Sequence, residues 1–533
     1  MSNKKNNITG AIILVVIILI VFTSLKPLIK EGIETILNGD EKYFRIISSN
    51  ANSFFEEDLI EFAKKEKIDL QIEYSDDLEI IDKLNDESNH YDAVWISNSI
   101  WLYMLNNPYL VTNSKSIAVT PVIMGVKKSK AEELGFAGKD IYNKDILNTI
   151  KSGKLKYVMN SVTKTNTGAT AYLAFLNSLA GSPEVLKSEM LKNPTLINDM
   201  KEFFKGVERV SGDETYLDEM FINGDYEAVI NYESTLIELN NKLINSGKEP
   251  LYLLYPVDGV AINDMPFGYV NRNQNKEENF NKIQKFLRSN KTAKKLEEKG
   301  LRTWFGGVKE QNNSIFKKEW GIDTTKYLMP FKYPSKTVMN EAFDLYLEAL
   351  RKPTHTVFVL DTSGSMNSNN GLIELKEAMN TILNKDTARQ DNIQFSDKDK
   401  ITIITFNSNV NLTSDTKTGA ESDYFINFIE HLYANGNTNI YDPSIAALEI
   451  LKNESDEYMR MEILMTDGHS NNGSFSSLSS YYTSEKLDIP IYSITFGNSS
   501  DYQLEQIAEL TNAKIFDGKS GLVEAFKEVR SYS

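Results

Sequence analysis

The side chains with the most chemical promise are five hard-oxygen donors in the last third of the chain. Asp361, Ser363 and Ser365 lie in the run D-T-S-G-S-M, Thr438 in N-G-N-T-N, and Asp467 in M-T-D-G. Alternate residues of one tight loop present their oxygens together, so D-x-S-x-S gathers a carboxylate and two hydroxyls. Ligation by carboxylates and hydroxyls alone suits Mg2+, with Mn2+ or Ca2+ as alternatives; a soft or imidazole-preferring metal would want groups these runs lack. Two carboxylates balance the ion's double charge, and five protein groups leave room in an octahedral shell for a carboxylate supplied from outside. The bland alternative is an Asp- and Ser-rich turn that only caps a helix. The metal reading is preferred because Thr438 and Asp467 supply further oxygens at the ends of other elements. Asp442 and His469, close by in sequence, read as a residue at a helix amino terminus and a loop residue, and are left out of the site.

These donors need a frame. From Thr354 onward apolar runs alternate with amphipathic ones: THTVFVLD, a helix over Gly371–Leu383, KITIITFNSNV, a helix around Tyr424–Leu432, and a helix from Asp442 to Leu451. The strands MEILMTD and IPIYSITFG follow, then a helix near Leu504–Leu510 and a last strand and helix between Lys514 and Val529. Such alternation predicts a doubly wound, mostly parallel α/β sheet. In that architecture ligands meet the loops at the carboxyl ends of the strands, which is where Asp361 and Asp467 fall.

With D-x-S-x-S, a distant threonine and a distant aspartate in this order and strand context, residues 354–533 resemble the von Willebrand factor A family and its metal-ion-dependent adhesion site. The resemblance implies that Ser363, Ser365 and Thr438 contact the metal directly or through water, that Asp361 and Asp467 act mainly through bridging waters, and that the partner is a protein offering an acidic side chain.

The first part of the chain is also alternating α/β. FRIISSN, a helix over Ser53–Lys65, IDLQIEYS, a helix near Leu78–Leu84 and YDAVWISNS form one unit. A second runs from about Ile117 to Tyr255, and YPVDGVAINDMPFGYV reads as a return. Through PVIMGVKKSKAEELG, TKTNTGATAYLAFL and that return, residues 43–332 resemble extracytoplasmic solute-binding proteins of the periplasmic type II kind. The resemblance implies two lobes around a cleft for an unidentified small solute. Asn166, Thr167 and Gly168 open an apolar helix whose backbone N–H groups could meet an anionic or carbonyl ligand; ordinary helix capping is the competing reading. Ser49, Asn50, Ser97 and Glu233, at or beside strand ends, are further cleft candidates by position. A buried Glu233 would favour a cationic or hydroxyl-rich ligand instead. Residues 333–353 read as a connector with one helix, Val338–Leu350, bounded by Pro334 and Pro353.

Composition bounds the rest. A chain of 533 residues needs two or three cores, and 41% hydrophobic with 25% charged residues is ordinary globular material. A formal charge of -16 argues against a nucleic-acid partner, which calls for a basic surface. Cysteine is absent, and the four histidines show no zinc-like spacing. There is no G-x-S-x-G, no H-E-x-x-H and no convincing Ser, His and Asp set, so no enzyme activity is expected. Residues 1–30 read as a short cytoplasmic tip and a membrane anchor, the uncharged run Ile8–Leu25 being nearly long enough to span a bilayer. Lys4 and Lys5 before it would keep the tip inside and send the rest outward. A cleaved signal peptide is the competing reading, disfavoured because no small-x-small site follows the apolar run. The expected protein is a single-pass, outward-facing binder. The alternative is a solute receptor subunit of a transport or signalling complex, docked through its A-like domain.

Overall fold

The computed structural model describes residues 42–532 apart from 273–274, 327, 369, 391–392, 497–500 and 520. The chain forms two compact units, one built from the residues up to Ala118 together with Asp264–Lys294, the other from Val119–Asn263 together with Lys295 onward. The anchor expected at Ile8–Leu25 lies outside the described residues. Among the described residues no helix is long and apolar enough to cross a membrane.

The first unit is a five-stranded sheet in the order Leu70–Ser75, Phe44–Ser49, Ala93–Trp95, Pro266–Val270, Val111–Ser116. The first three strands run parallel, and Pro266–Val270 is antiparallel to both of its neighbours. That strand belongs to the segment that returns to this unit at Asp264. Phe44–Ser49, flanked by strands on both sides, is buried at every position but Arg45.

The second unit contains two sheets. One has the path Ala261–Asn263, Ala118–Lys127, Ala228–Tyr232, Tyr157–Asn160, Val207–Ser211. Behind it lies the Asn166–Leu179 helix, mostly apolar and almost entirely buried, as suits a helix enclosed in protein. The other sheet runs Val410–Thr413, Lys400–Phe406, Thr354–Asp361, Met459–Thr466, Ile491–Thr495, Ile515–Asp517, and all but the edge strand Val410–Thr413 are parallel along this path. Helices cover both faces. Leu375, Phe425, Ile429 and Phe526 pack on one side, and Ala447, Leu448, Leu478 and Ile507 on the other. This is the doubly wound arrangement expected from the alternation of apolar runs.

The connector is a helix, Lys336–Leu345, capped by Ser335 and followed by a π-helical turn over Tyr346–Leu350. It is not a free linker. Tyr172 on the buried helix donates to the Ala342 carbonyl at 2.7 Å, and the guanidinium of Arg351 grips Asp399 with Nη1 at 2.9 Å and also with Nη2. Asp399 additionally accepts from the Thr354 N–H at 2.7 Å, so the start of the central strand is tied to the connector.

Candidate functional site

Strand Thr354–Asp361 ends with Asp361 fully buried, and the chain turns at once into a 3-10 turn over Gly364–Asn367. The turn is held from both sides. Thr362 donates through its N–H and its hydroxyl to the Phe406 carbonyl at 2.7 and 2.8 Å, locking the loop to the neighbouring strand. The Gly364 N–H donates to the Gly436 carbonyl at 2.9 Å, and the Asn435 N–H to the Thr362 carbonyl at 2.9 Å, which brings the N-G-N-T loop alongside. A Cβ at Gly364 would lie 3.1 Å from the Gly436 oxygen, and Gly436 itself has φ +78°, so both glycines serve this close crossing.

The oxygens then form a chain. Ser363 Oγ lies 2.9 Å from Ser365 Oγ, and Ser365 Oγ donates to Asp467 Oδ1 at 2.8 Å. Thr438 adjoins them: a Cβ built on Gly468 would lie 3.4 Å from Ser365 Oγ and 3.8 Å from Thr438 Oγ1. Asp361 stands behind, its Oδ1 accepting from the Ser363 N–H at 2.7 Å and its Oδ2 from the Thr466 hydroxyl at 2.6 Å. Ser365 is exposed while Asp361, Ser363, Thr438 and Asp467 are buried, so the cluster is a rooted rim with an open outer edge. Burial pushes Asp361 up to about 6, against hydrogen bonds from Thr466 and Ser363, and the nearby Asp467 adds to the rise. Burial raises Asp467 as well, opposed by its hydrogen bond from Ser365.

All five predicted donors therefore lie at one rim, and their chemistry fits a hard divalent cation: two carboxylates, each destabilised by burial, with three hydroxyls. Among the described residues no three His, Cys, Asp or Glu side chains gather into a metal-holding group. Two supporting residues escaped the sequence reading. Thr466 orients Asp361, and Asn471 accepts from the Thr438 N–H at 3.1 Å. Thr466 sits inside the M-T-D-G run, where its hydroxyl was a readable signal; Asn471 carried none. Asp442 accepts from Asn439 at 2.8 Å, a contact within its own helix start.

The solute-facing candidates fall into separate groups. In the first unit Ser49 Oγ and Ser97 Oγ are 2.6 Å apart, both buried, and Asp77 accepts from the Ser97 N–H at 3.0 Å. Burial pushes Asp77 up to about 6, offset by its bonds from Ser97 and Ser49. Asp77 was missed, although S-D-D directly after the strand IDLQIEYS was a signal of the same kind as the others. Asn50 turns aside and donates to Asp76 at 2.9 Å.

In the second unit Thr165 caps the Asn166–Leu179 helix by accepting from the Gly168 N–H at 3.1 Å. Asn166 donates to Tyr232 Oη at 2.8 Å and to Asn263 Oδ1 at 2.7 Å. Thr167 donates through its N–H and its hydroxyl to Glu214 Oε1 at 3.1 and 2.9 Å, so a carboxylate of the chain itself meets this helix start. Gly168 presses on the preceding loop: a Cβ there would sit 2.2 Å from the Ser161 carbonyl oxygen. Glu233 differs from its expected place. It is fully buried, its carboxylate gripped by Arg302 through two bonds of 2.7 Å and by the Tyr255 hydroxyl at 2.5 Å. Its charge is neutralised inside the lobe by a residue 69 positions along the chain, a partner no local pattern announces.

The fold is that of a mixed α/β protein, with solute-binding-type lobes ahead of a doubly wound domain that carries the oxygen-rich rim. Comparison with known families gives the same division: residues 46–302 match the bacterial extracellular solute-binding protein family, and residues 356–528 match the von Willebrand factor type A domain. No curated protein matches the chain. Among solved structures, the periplasmic binding protein AfuA from Actinobacillus pleuropneumoniae, with exogenous fructose-6-phosphate bound, is 12% identical, covering 58% of this chain and 98% of that one at a TM-score of 0.42. A ferric binding protein from Campylobacter jejuni is 16% identical, covering 57% and 98% at 0.40. A von Willebrand factor type A protein from Catenulispora acidiphila is 18% identical over 34% of this chain and only 43% of its own length, at 0.29. The assignment of the two domains rests on the family matches, not on these likenesses.

Proposed function

We propose that the chain is an extracytoplasmic binding protein whose A-type domain holds a divalent cation, Mg2+ foremost, and uses it to grip an acidic side chain of a protein partner. The observation that carries this reading is the unbroken oxygen chain Ser363, Ser365, Asp467, rooted on Asp361 and open at Ser365. Bound there, the cation supplies a Lewis-acidic point charge for an external carboxylate. The residues do the remainder. Thr466 and the Ser363 N–H occupy both oxygens of Asp361, which fixes its orientation, and the loop pairing Gly364 to Gly436 keeps Thr438 within reach.

The role is binding and not catalysis. The two lobes take a small solute or serve as a scaffold, with Ser49, Ser97 and Asp77 as the polar floor of the first and Asn166 with Tyr232 as that of the second. A membrane anchor at Ile8–Leu25 would hold these domains at the outer surface of the membrane. The test uses immobilised peptides containing one Asp or one Asn at the same position, with the chain flowed across in Mg2+ or in chelator. Retention on the Asp peptide in Mg2+ alone supports the reading; equal retention on both peptides, or retention in chelator, overturns it.

A further inference from the structure

The loop Ser211–Thr215 leaves strand Val207–Ser211 and carries two adjacent carboxylates with different obligations. Glu214 meets the start of the Asn166–Leu179 helix, accepting from the Thr167 N–H, the Thr167 hydroxyl and the Tyr232 hydroxyl at 3.1, 2.9 and 3.2 Å. Asp213 faces the A-type domain. Its Oδ2 pairs with Lys514 Nζ at 2.9 Å, while its Oδ1 accepts from the N–H groups of Thr215 and Tyr216 where the next helix, Tyr216–Asn223, begins. Lys514 also lies over the Tyr216 ring, 5.0 Å from its centroid, and 6.0 Å from that of Tyr532.

The backbone between them has no slack. A Cβ on Gly212 would sit 1.7 Å from Ser531 Oγ and 3.0 Å from the Tyr532 ring, so the loop lies directly against the carboxy-terminal segment of the A-type domain. Ser211 Oγ donates to the Asp213 carbonyl at 2.6 Å and accepts from the Asp213 N–H at 3.1 Å, closing a tight turn. Further ties hold the same face: Arg209, itself buried, donates to the Asn512 carbonyl at 2.7 Å, Asn512 donates to the Met220 carbonyl at 3.0 Å, and Lys164 pairs with Glu528. One short turn of backbone thus sets both the seat of Glu214 at the helix start and the contacts of Asp213 and Gly212 with Lys514, Ser531 and Tyr532.

We infer that Ser211–Thr215 is a coupling strap: whether Glu214 is seated on the Asn166–Leu179 helix is transmitted through Asp213 and Gly212 to the A-type domain. Linkage makes the coupling reciprocal, so loosening the A-type side unseats Glu214 by the same free energy. That a solute provides the displacing group rests on the solute-binding reading above; the strap itself does not.

Hydrogen–deuterium exchange on the full chain tests this without any ligand. Lys514→Ala should speed exchange of the Thr167 amide, on the far side of the strap, by about tenfold, the equivalent of one weakened hydrogen bond. Lys514→Arg should keep the wild-type rate. Glu214→Ala should speed the Ser531 and Tyr532 amides by a comparable factor. Should Lys514→Ala fail to fold, Glu214→Ala reads the coupling from the other end. If acceleration stays within residues 211–216 in the Lys514 variant, and Ser531 and Tyr532 are unchanged in the Glu214 variant, the strap is overturned, whatever the lobes bind.

Discussion

The oxygen-rich rim of the A-type domain and the interior of the solute-binding-type second lobe both place carboxylates at or beside strand ends, yet use them in opposite ways. At the rim, Asp361 and Asp467 are bonded only to hydroxyls and N–H groups, and the cluster opens to solvent at Ser365. In the lobe, Glu233 is closed over by Arg302 and Tyr255. A carboxylate matched by neutral donors keeps the capacity to attract a cation, whereas one matched by a guanidinium has spent it. Position at a strand end does not by itself distinguish a binding group from a structural one; the charge of the partner does.

The largest effect that would sharpen this contrast is in the lobe. Arg302→Ala strands a buried carboxylate and should cost about 3–5 kcal/mol, read as a large fall in the thermal midpoint, while Arg302→Met combined with Glu233→Leu should recover most of it. If the single change is silent, Glu233 is not a structural charge held by Arg302.

A third carboxyl gives an effect of comparable size. Glu462 is fully buried on strand Met459–Thr466, bonded to Ser444 at 2.5 Å, and Oε2 has no hydrogen-bond partner among the described residues. Burial pushes it up to about 8, against the Ser444 bond. Because the folded state holds this proton longer than the unfolded chain, its contribution is complete below the unfolded carboxyl range and is lost as pH rises towards 8. Glu462→Gln should therefore leave stability at pH ~4 unchanged and raise it at pH ~8 by roughly 4 kcal/mol. Denaturant unfolding at both pH values decides, and a stability gain that is the same at both would contradict the assignment.

A smaller effect concerns the helix start. Gly168→Ala places a methyl against the Ser161 carbonyl and should cost about 1–3 kcal/mol, with metal binding at the distant rim unaltered. A loss of metal affinity in this variant would erase the distinction between the two regions.

How much of this could be read beforehand follows the same division. The five rim oxygens were legible because D-T-S-G-S-M is local and the apolar strands before Asp361 and Asp467 set where each loop opens. The alternation that predicts the doubly wound sheet is legible for the same reason: period and burial are properties of neighbouring residues. Arg302 with Glu233 is a pairing across 69 positions, and Glu214 against Thr167 across 47; neither leaves a periodic trace. Asn50 shows the limit of position alone, since it lies just past a strand end beside Ser49 yet turns towards Asp76. The connector's helix was legible from its flanking prolines, but its π-helical ending at Tyr346–Leu350 was not, because that depends on what Tyr346 and Leu350 pack against.

Calorimetric titration of Mg2+, Mn2+ and Ca2+ into the metal-stripped chain decides whether the rim is a hard-cation site. Wild type should bind at least one of these ions at a single site, and Asp361→Ala and Asp467→Ala should each abolish that binding while their circular dichroism stays that of the folded protein. Equal binding by wild type and both variants, or no binding by wild type, would contradict the account.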